Sequence, residues 1–237
     1  VTATVGVGSS PYGGAFDGSN IWVTNFGSGT VSKIDPVSNT VTATVAVGSN
    51  PYGGAFDGSN IWVTNFGSGT VSKIDPVSNT VTATVPVGSG PLGVAFDGSN
   101  IWVTNLNSNT VSKIDPVSNT VTATVAVGSS PYGGAFDGSN IWVTNFGSGT
   151  VSKIDPVSNT VTATVPVGSN PVGVAYGGSG IWVANFGSNT VSKIDPVSNT
   201  VTATVPVGSS PVGVAYGGSN IWVANDGSNT VSKISTS

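Results

Sequence analysis

Apolar and polar residues alternate in short bursts along this chain, and no stretch shows the 3.6-residue spacing of an amphipathic helix. Gly, Pro or Asn interrupts every window of about a dozen residues, which excludes helical repeats. The bursts predict four short strands in the first 47 residues: Tyr12 to Phe16, Asn20 to Asn25, Thr30 to Ile34 and Thr40 to Val47. Gly18-Ser19 fits a two-residue type II′ turn, because Gly in its first position accepts a positive φ. Phe26 to Gly29 joins the next pair of strands. Asp35-Pro36-Val37-Ser38 joins the last pair through a type I turn, with Asp leading and Pro second. Three successive hairpins make a four-stranded antiparallel meander.

That meander recurs. VTATV begins at Val1, Val41, Val81, Val121, Val161 and Val201, so the period is 40 residues without insertion or deletion. The units 1–40, 41–80, 81–120, 121–160, 161–200 and 201–237 read as one domain. A four-stranded sheet repeated six times around an axis predicts an all-β, six-bladed β-propeller. Ile21-Trp22-Val23 is apolar on both faces, as expected of a strand packed between two blades, whereas VTATVAV alternates like a half-solvated outer strand. Six units of 40 need 240 residues and the chain has 237. Val1 to Val7 is a fourth-strand sequence and Thr230 to Ser235 a third-strand one. The N-terminal strand is therefore expected to complete the last blade and close the ring, and a closed ring favours a monomer.

Composition removes most chemistry. The ten acidic residues are all Asp and the six basic ones all Lys, for a net charge of −4; Glu, Arg, His, Cys and Met are absent. No imidazole base, thiolate, disulfide or ordinary zinc, haem or iron–sulfur site can be built, so neither a metal nor a cofactor is expected. The few Lys residues argue against nucleic-acid binding. No apolar run reaches the roughly 18 to 20 residues of a membrane span, and no signal-peptide pattern opens the chain. The missing initiator Met suggests a processed or excised segment.

At IWVTN (Ile21 to Asn25, again at 61, 101 and 141, with IWVAN at 181 and 221), followed by the TVSKID and NTVTATVPVG strands, all six units resemble the YVTN family of β-propeller repeats. The resemblance implies a microbial surface-layer or other extracellular protein. It also implies enzymatic relatives, the streptogramin lyases and lactonases, whose working residues are His for the former and Glu, Arg or His for the latter. This sequence has none of those residues. The expectation is a non-enzymatic binding or scaffold module with a protein or glycan partner. A lectin-like propeller is the alternative, and a lyase- or lactonase-like enzyme a more remote one. The near-identity of the units indicates recent amplification of one blade or a designed sequence.

Differences between copies mark candidate sites. Hairpin counting pairs Phe16 with Ile21, Ala15 with Trp22, Gly14 with Val23 and Gly13 with Thr24. A large indole thus faces a methyl group, so Trp22, Trp62, Trp102, Trp142, Trp182 and Trp222 read as core, with aromatic ligand stacking as the other reading. Tyr12/Gly14, Tyr52/Gly54 and Tyr132/Gly134 give way to Leu92/Val94, Val172/Val174 and Val212/Val214, an exchange that conserves volume. The loop after the second strand varies at the same end of the blade. Phe26, Phe66, Phe146 and Phe186 become Leu106 and Asp226 in the other two units. Tyr12, Tyr52, Tyr132, Phe26, Phe66 and Phe146 are the candidate ligand contacts, with Asp226 the one polar novelty; packed rim residues drifting after duplication are the competing reading. Lys33 and Asp35 share a strand face, which predicts Lys33 over Trp22 and ion-paired to Asp17 or Asp35. Asp17 is replaced by Gly177 and Gly217, and Asp35 by Ser235, so Lys233 should be the least paired. No carboxylate spacing suggests a glycosidase pair, and FDGSN offers too few oxygens for calcium.

Overall fold

A computed structural model describes residues 1–236, and these form strands and turns without a helix. The chain is a six-bladed β-propeller of antiparallel meanders. Blade I runs Pro11–Phe16, Ile21–Asn25, Thr30–Asp35 and Thr40–Ala46, with the strands in sequence order across the sheet. Blades II to V repeat this from Pro51, Pro91, Pro131 and Pro171, and blade VI comprises Pro211–Gly217, Asn220–Asn225 and Thr230–Ser235. Two compact units result. The first is Val1–Ser108 with Ser112–Ala123, essentially blades I to III; the second is Asn109–Val111 with the chain from Thr124 onward, essentially blades IV to VI.

The strand bounds follow turn chemistry. Gly18 takes φ of 92°, and Asp17 N–H donates to the Asn20 carbonyl at 3.1 Å, which closes the two-residue turn. In blades V and VI the Asp is Gly, and both central residues turn left-handed: Gly178 and Ser179 at 54° and 59°, Gly218 and Ser219 at 58° and 62°. Those turns are of type I′, and the hairpin gains a residue pair, Gly177 with Gly180 and Gly217 with Asn220. The residue before each third strand is also left-handed, as Gly29, Gly69 and Gly149 or as Asn109, Asn189 and Asn229. The Gly-to-Asn variation there is conformational, since both residues tolerate that region.

Two expectations need correction. Gly13 does not pair with Thr24. The register shifts between Pro11 and Gly14, and Gly13 N–H donates to the Thr24 hydroxyl at 2.9 Å instead. The same hydroxyl donates to the Tyr52 carbonyl of blade II at 2.7 Å, so the bulge lets one side chain tie two first strands together. This approach requires Gly13, because a Cβ there would strike the Tyr52 carbonyl oxygen. The second correction concerns closure. Val1 to Val7 carries no strand, and the sixth sheet has three strands. The chain is held from Ser9, whose N–H donates to Ser28 Oγ at 2.7 Å. Gly6 to Gly8 line a cavity of about 430 Å³ with Ser28, Thr30, Ser32, Val41 and Thr44 of blade I. An extended segment without a partner ladder is not a strand, whatever its sequence.

The core sits between blades. At the I–II seam Trp22, Val31 and Val45 interlock with Ile61, Val63 and Ile74, with Phe56 and Val81 partly buried alongside. Equivalent sets fill the II–III, IV–V and V–VI seams. Each fully buried Ile or Val contributes about 1.5–3 kcal/mol, so every seam is a small hydrophobic core of its own. Phe16 in blade I is 55% exposed, and Trp222 and Val231 in blade VI are 43% and 64% exposed.

Candidate functional site

The loop after each second strand is laced to the start of the first. Phe26 N–H donates to the Ser10 carbonyl and Gly27 N–H to the Ser9 carbonyl, both at 3.0 Å. This brings the two variable positions together. Tyr12 lies 6.5 Å from Phe26 and 4.1 Å from Tyr52, ring centre to ring centre, the tyrosine planes tilted by 35°. Tyr12 is 63% exposed, whereas Tyr52 and Phe26 are half-buried, so the trio presents an aromatic surface at the end of the first unit. In blade III the matching Leu92 is buried, and half-buried Phe66 lies near Gly90. In the second unit Tyr132 and Phe146 stand 6.3 Å apart, while Val172 is buried. Asp226 is exposed in the last such loop, its N–H donating to the Ser210 carbonyl at 3.0 Å.

The tryptophans are placed by their indole nitrogens as well as by packing. Trp22 Nε1 donates to Asp17 Oδ2 at 2.7 Å, and Asp17 Oδ1 accepts the Ser19 and Asn20 amides. Trp62, Trp102 and Trp142 bond Asp57, Asp97 and Asp137 in the same way, at 2.6 Å. Burial pushes the Asp17 carboxyl up, but the Trp22 indole and the Asn20 and Ser19 amides outweigh it and hold the group below its ordinary value. Where Asp becomes Gly, Trp182 and Trp222 donate to the Gly177 and Gly217 carbonyls at 3.0 and 3.2 Å.

Lys33 lies 5.3 Å from the Trp22 ring, but its ammonium is not ion-paired to Asp17 or Asp35. It donates across the seam to the Pro76 carbonyl at 2.7 Å and Asn79 Oδ1 at 3.3 Å; Lys73 and Lys153 do the same with Pro116 and Asn119, and Pro196 and Asn199. The expected carboxylates are spoken for: Asp17 by the indole, and Asp35 by the Val37 amide at 2.8 Å and the Ser38 hydroxyl at 2.9 Å. Those two donors also hold the Asp35 carboxyl below its ordinary value. Lys233 lies 5.6 Å from the Trp222 ring and has no hydrogen-bond acceptor among the described residues.

Sequence reasoning missed two elements, the Thr24 hydroxyl bridge across the seam and the buried Asn25 within the blade. Asn25 Nδ2 donates to Thr30 Oγ1 and Ser32 Oγ at 3.0 Å each, and its Oδ1 is buried without a partner, as in all six copies. The signal for the Thr24 bridge was its loss together with Asp17 in blades V and VI, as Ala184 with Gly177 and as Ala224 with Gly217. The exposed aromatic surface suits stacking against a planar or sugar-like face. Among the described residues no three His, Cys, Asp or Glu are grouped to hold a metal ion.

A sequence profile of the virginiamycin B lyase family matches residues 3–237. The YVTN likeness rests on the repeated motifs alone. No curated protein matches. Among solved structures, a catalytically inactive histidine-to-alanine variant of virginiamycin B lyase from Staphylococcus aureus with quinupristin is 17% identical, with TM-score 0.82 over 95% of this chain and 84% of that one. A streptogramin B lyase is 19% identical, with TM-score 0.79 over 96% and 83% of the two chains. Kuenenia stuttgartiensis hydrazine synthase is 19% identical, with TM-score 0.65 over 99% and 98%. At these identities the likeness is one of fold.

Proposed function

The chain belongs to the virginiamycin B lyase family, and we propose that within it this protein is a binding or scaffold propeller without lyase activity. The observation that carries this reading is the solvent-facing Tyr12–Tyr52 pair with Phe26 beside it. Exposed stacked rings stabilise a ligand through apolar contact and ring–face geometry, and they need no acid or base to do so. The chain's chemistry fits. A Staphylococcus aureus lyase with one histidine changed to alanine is catalytically inactive, and this chain has no histidine at any of its 237 positions. The partner chemistry we assign is a glycan or a protein surface offering a flat apolar face.

The test has two arms. Quinupristin incubated with the protein should elute unchanged in liquid chromatography, and its conversion to a new species above the buffer rate would overturn the non-catalytic reading. A glycan array should show binding that is lost in a Tyr12→Ala, Tyr52→Ala double variant with unchanged circular dichroism. Binding unaffected by that double variant would remove the aromatic surface from the proposal.

A further inference from the structure

We infer that the cavity on blade I is a binding site for a neutral monosaccharide unit. It measures about 430 Å³, and Ser28, Thr30, Ser32 and Thr44 line it together with the aliphatic Val7 and Val41, all within the first unit. Small-molecule sites run from about 300 to 1,000 Å³ and combine an apolar wall with a few fixed polar groups. The sheet sets the polar groups in place here. Thr30 and Ser32 stand two apart on the third strand and share a face. Thr44 on the fourth strand lies directly opposite Ser32. Three hydroxyls thus stand side by side at spacings of about 5 to 7 Å, within the span of one pyranose ring.

These hydroxyls keep bonding capacity for a ligand. The buried Asn25 donates through Nδ2 to Thr30 Oγ1 and Ser32 Oγ, which fixes both side chains. Each such bond uses one of the three hydrogen-bonding sites a hydroxyl has. Thr44 is exposed, and its hydroxyl has no partner among the described residues. No charged side chain lines the cavity, so a charged ligand would give up hydration there without gaining an ion pair. A sugar fits both surfaces: its hydroxyls donate and accept as those of Ser and Thr do, and its carbon-bound hydrogens suit the Val7 and Val41 methyls. Gly6 leaves the room. A Cβ there would meet nothing within 4 Å, and the same position carries Ala46 and Pro86 in the next two repeats. The rest of the wall is common to blade II: Ser32 and Ser72 are buried alike, and Val7, Gly8 and Thr30 are half-buried like Val47, Gly48 and Thr70.

Saturation-transfer NMR with the methyl glycosides of glucose, galactose and mannose tests this site, with variants checked for an unaltered circular dichroism spectrum. At least one of the three sugars should receive saturation on its ring hydrogens. Thr44→Val keeps the shape of an exposed side chain but removes its hydroxyl, and should weaken binding about three- to tenfold, as the loss of one hydrogen bond does. Gly6→Leu fills the space beside the bare backbone and should abolish the signal. The Tyr12→Ala, Tyr52→Ala double variant should bind the sugar as the unaltered protein does, which separates this cavity from the aromatic surface. Absence of transfer to all three sugars overturns the proposal. So does an affinity that Gly6→Leu leaves unchanged, or one that the double tyrosine variant loses.

Discussion

A few side chains are fixed by partners their residue type does not advertise. Asp57 looks like a surface turn residue, but it accepts the Trp62 indole N–H at 2.6 Å and two turn amides. Asp57→Ala should therefore lower stability by about 1–3 kcal/mol, the usual cost of leaving a buried donor without its acceptor, as read by denaturant unfolding. No change would mean that the indole had found another acceptor, as Trp182 does in the Gly177 carbonyl. Asn65 makes the stronger case. Its Nδ2 bonds Thr70 and Ser72, yet its Oδ1 is buried and unsatisfied. Asn65→Asp places a charge where the neighbours are arranged to accept rather than donate. It should destabilise more at pH 7 than at pH 4, a difference that thermal melts at the two pH values would reveal.

Among the elements, the first strand is the least tolerant. A Cβ on Gly53 would meet the Leu92 carbonyl oxygen, a backbone atom that cannot rotate away. Gly53→Ala should cost about 1–3 kcal/mol through overpacking, and a melting temperature equal to that of the unaltered protein would refute the close approach. Thr64→Val keeps the shape but removes the hydroxyl that donates to Leu92 and accepts from Gly53. A loss of similar size is expected in chemical unfolding. Hairpin positions were legible in the sequence because turn residues at Gly18, Asp35 and Pro36 leave few alternatives for the backbone. The bulge before Gly14 was not, because it depends on a carbonyl supplied by the next blade 28 residues later. The partner of Lys33 was hidden for the same reason: its acceptors, Pro76 and Asn79, lie 43 and 46 residues away, across a seam. The pairing of Tyr12 with Phe26 was legible because both belong to one hairpin.

For the molecule as a whole, the titrating groups set the pH range of stability. Asp17, Asp35, Asp75, Asp115 and Asp195 all have carboxyls lowered in the folded state. Their stabilisation is complete above the unfolded value near pH 4 and disappears as pH falls through the lower folded values. With no histidine in the chain, thermal stability should be flat from about pH 5 to 7 and fall below about pH 4. A midpoint near pH 6 in a pH–melting profile would contradict this. The closing strand expected at Val1 to Val7 is not formed. The composition of Val1 to Val7 identifies which strand type it is, but a ladder also requires a partner at hand.

Near-identical seams have one more consequence. Because blades I to IV present the same Phe, Ile, Val and Ile set, a Trp face that packs on one of them fits the others too. Refolding from denaturant is therefore a problem of counting. A blade that captures a neighbour two repeats away forms native contacts while skipping 40 residues of chain. The energy landscape holds a ladder of well-packed, wrongly spaced states, and only the tether between consecutive blades tells them apart.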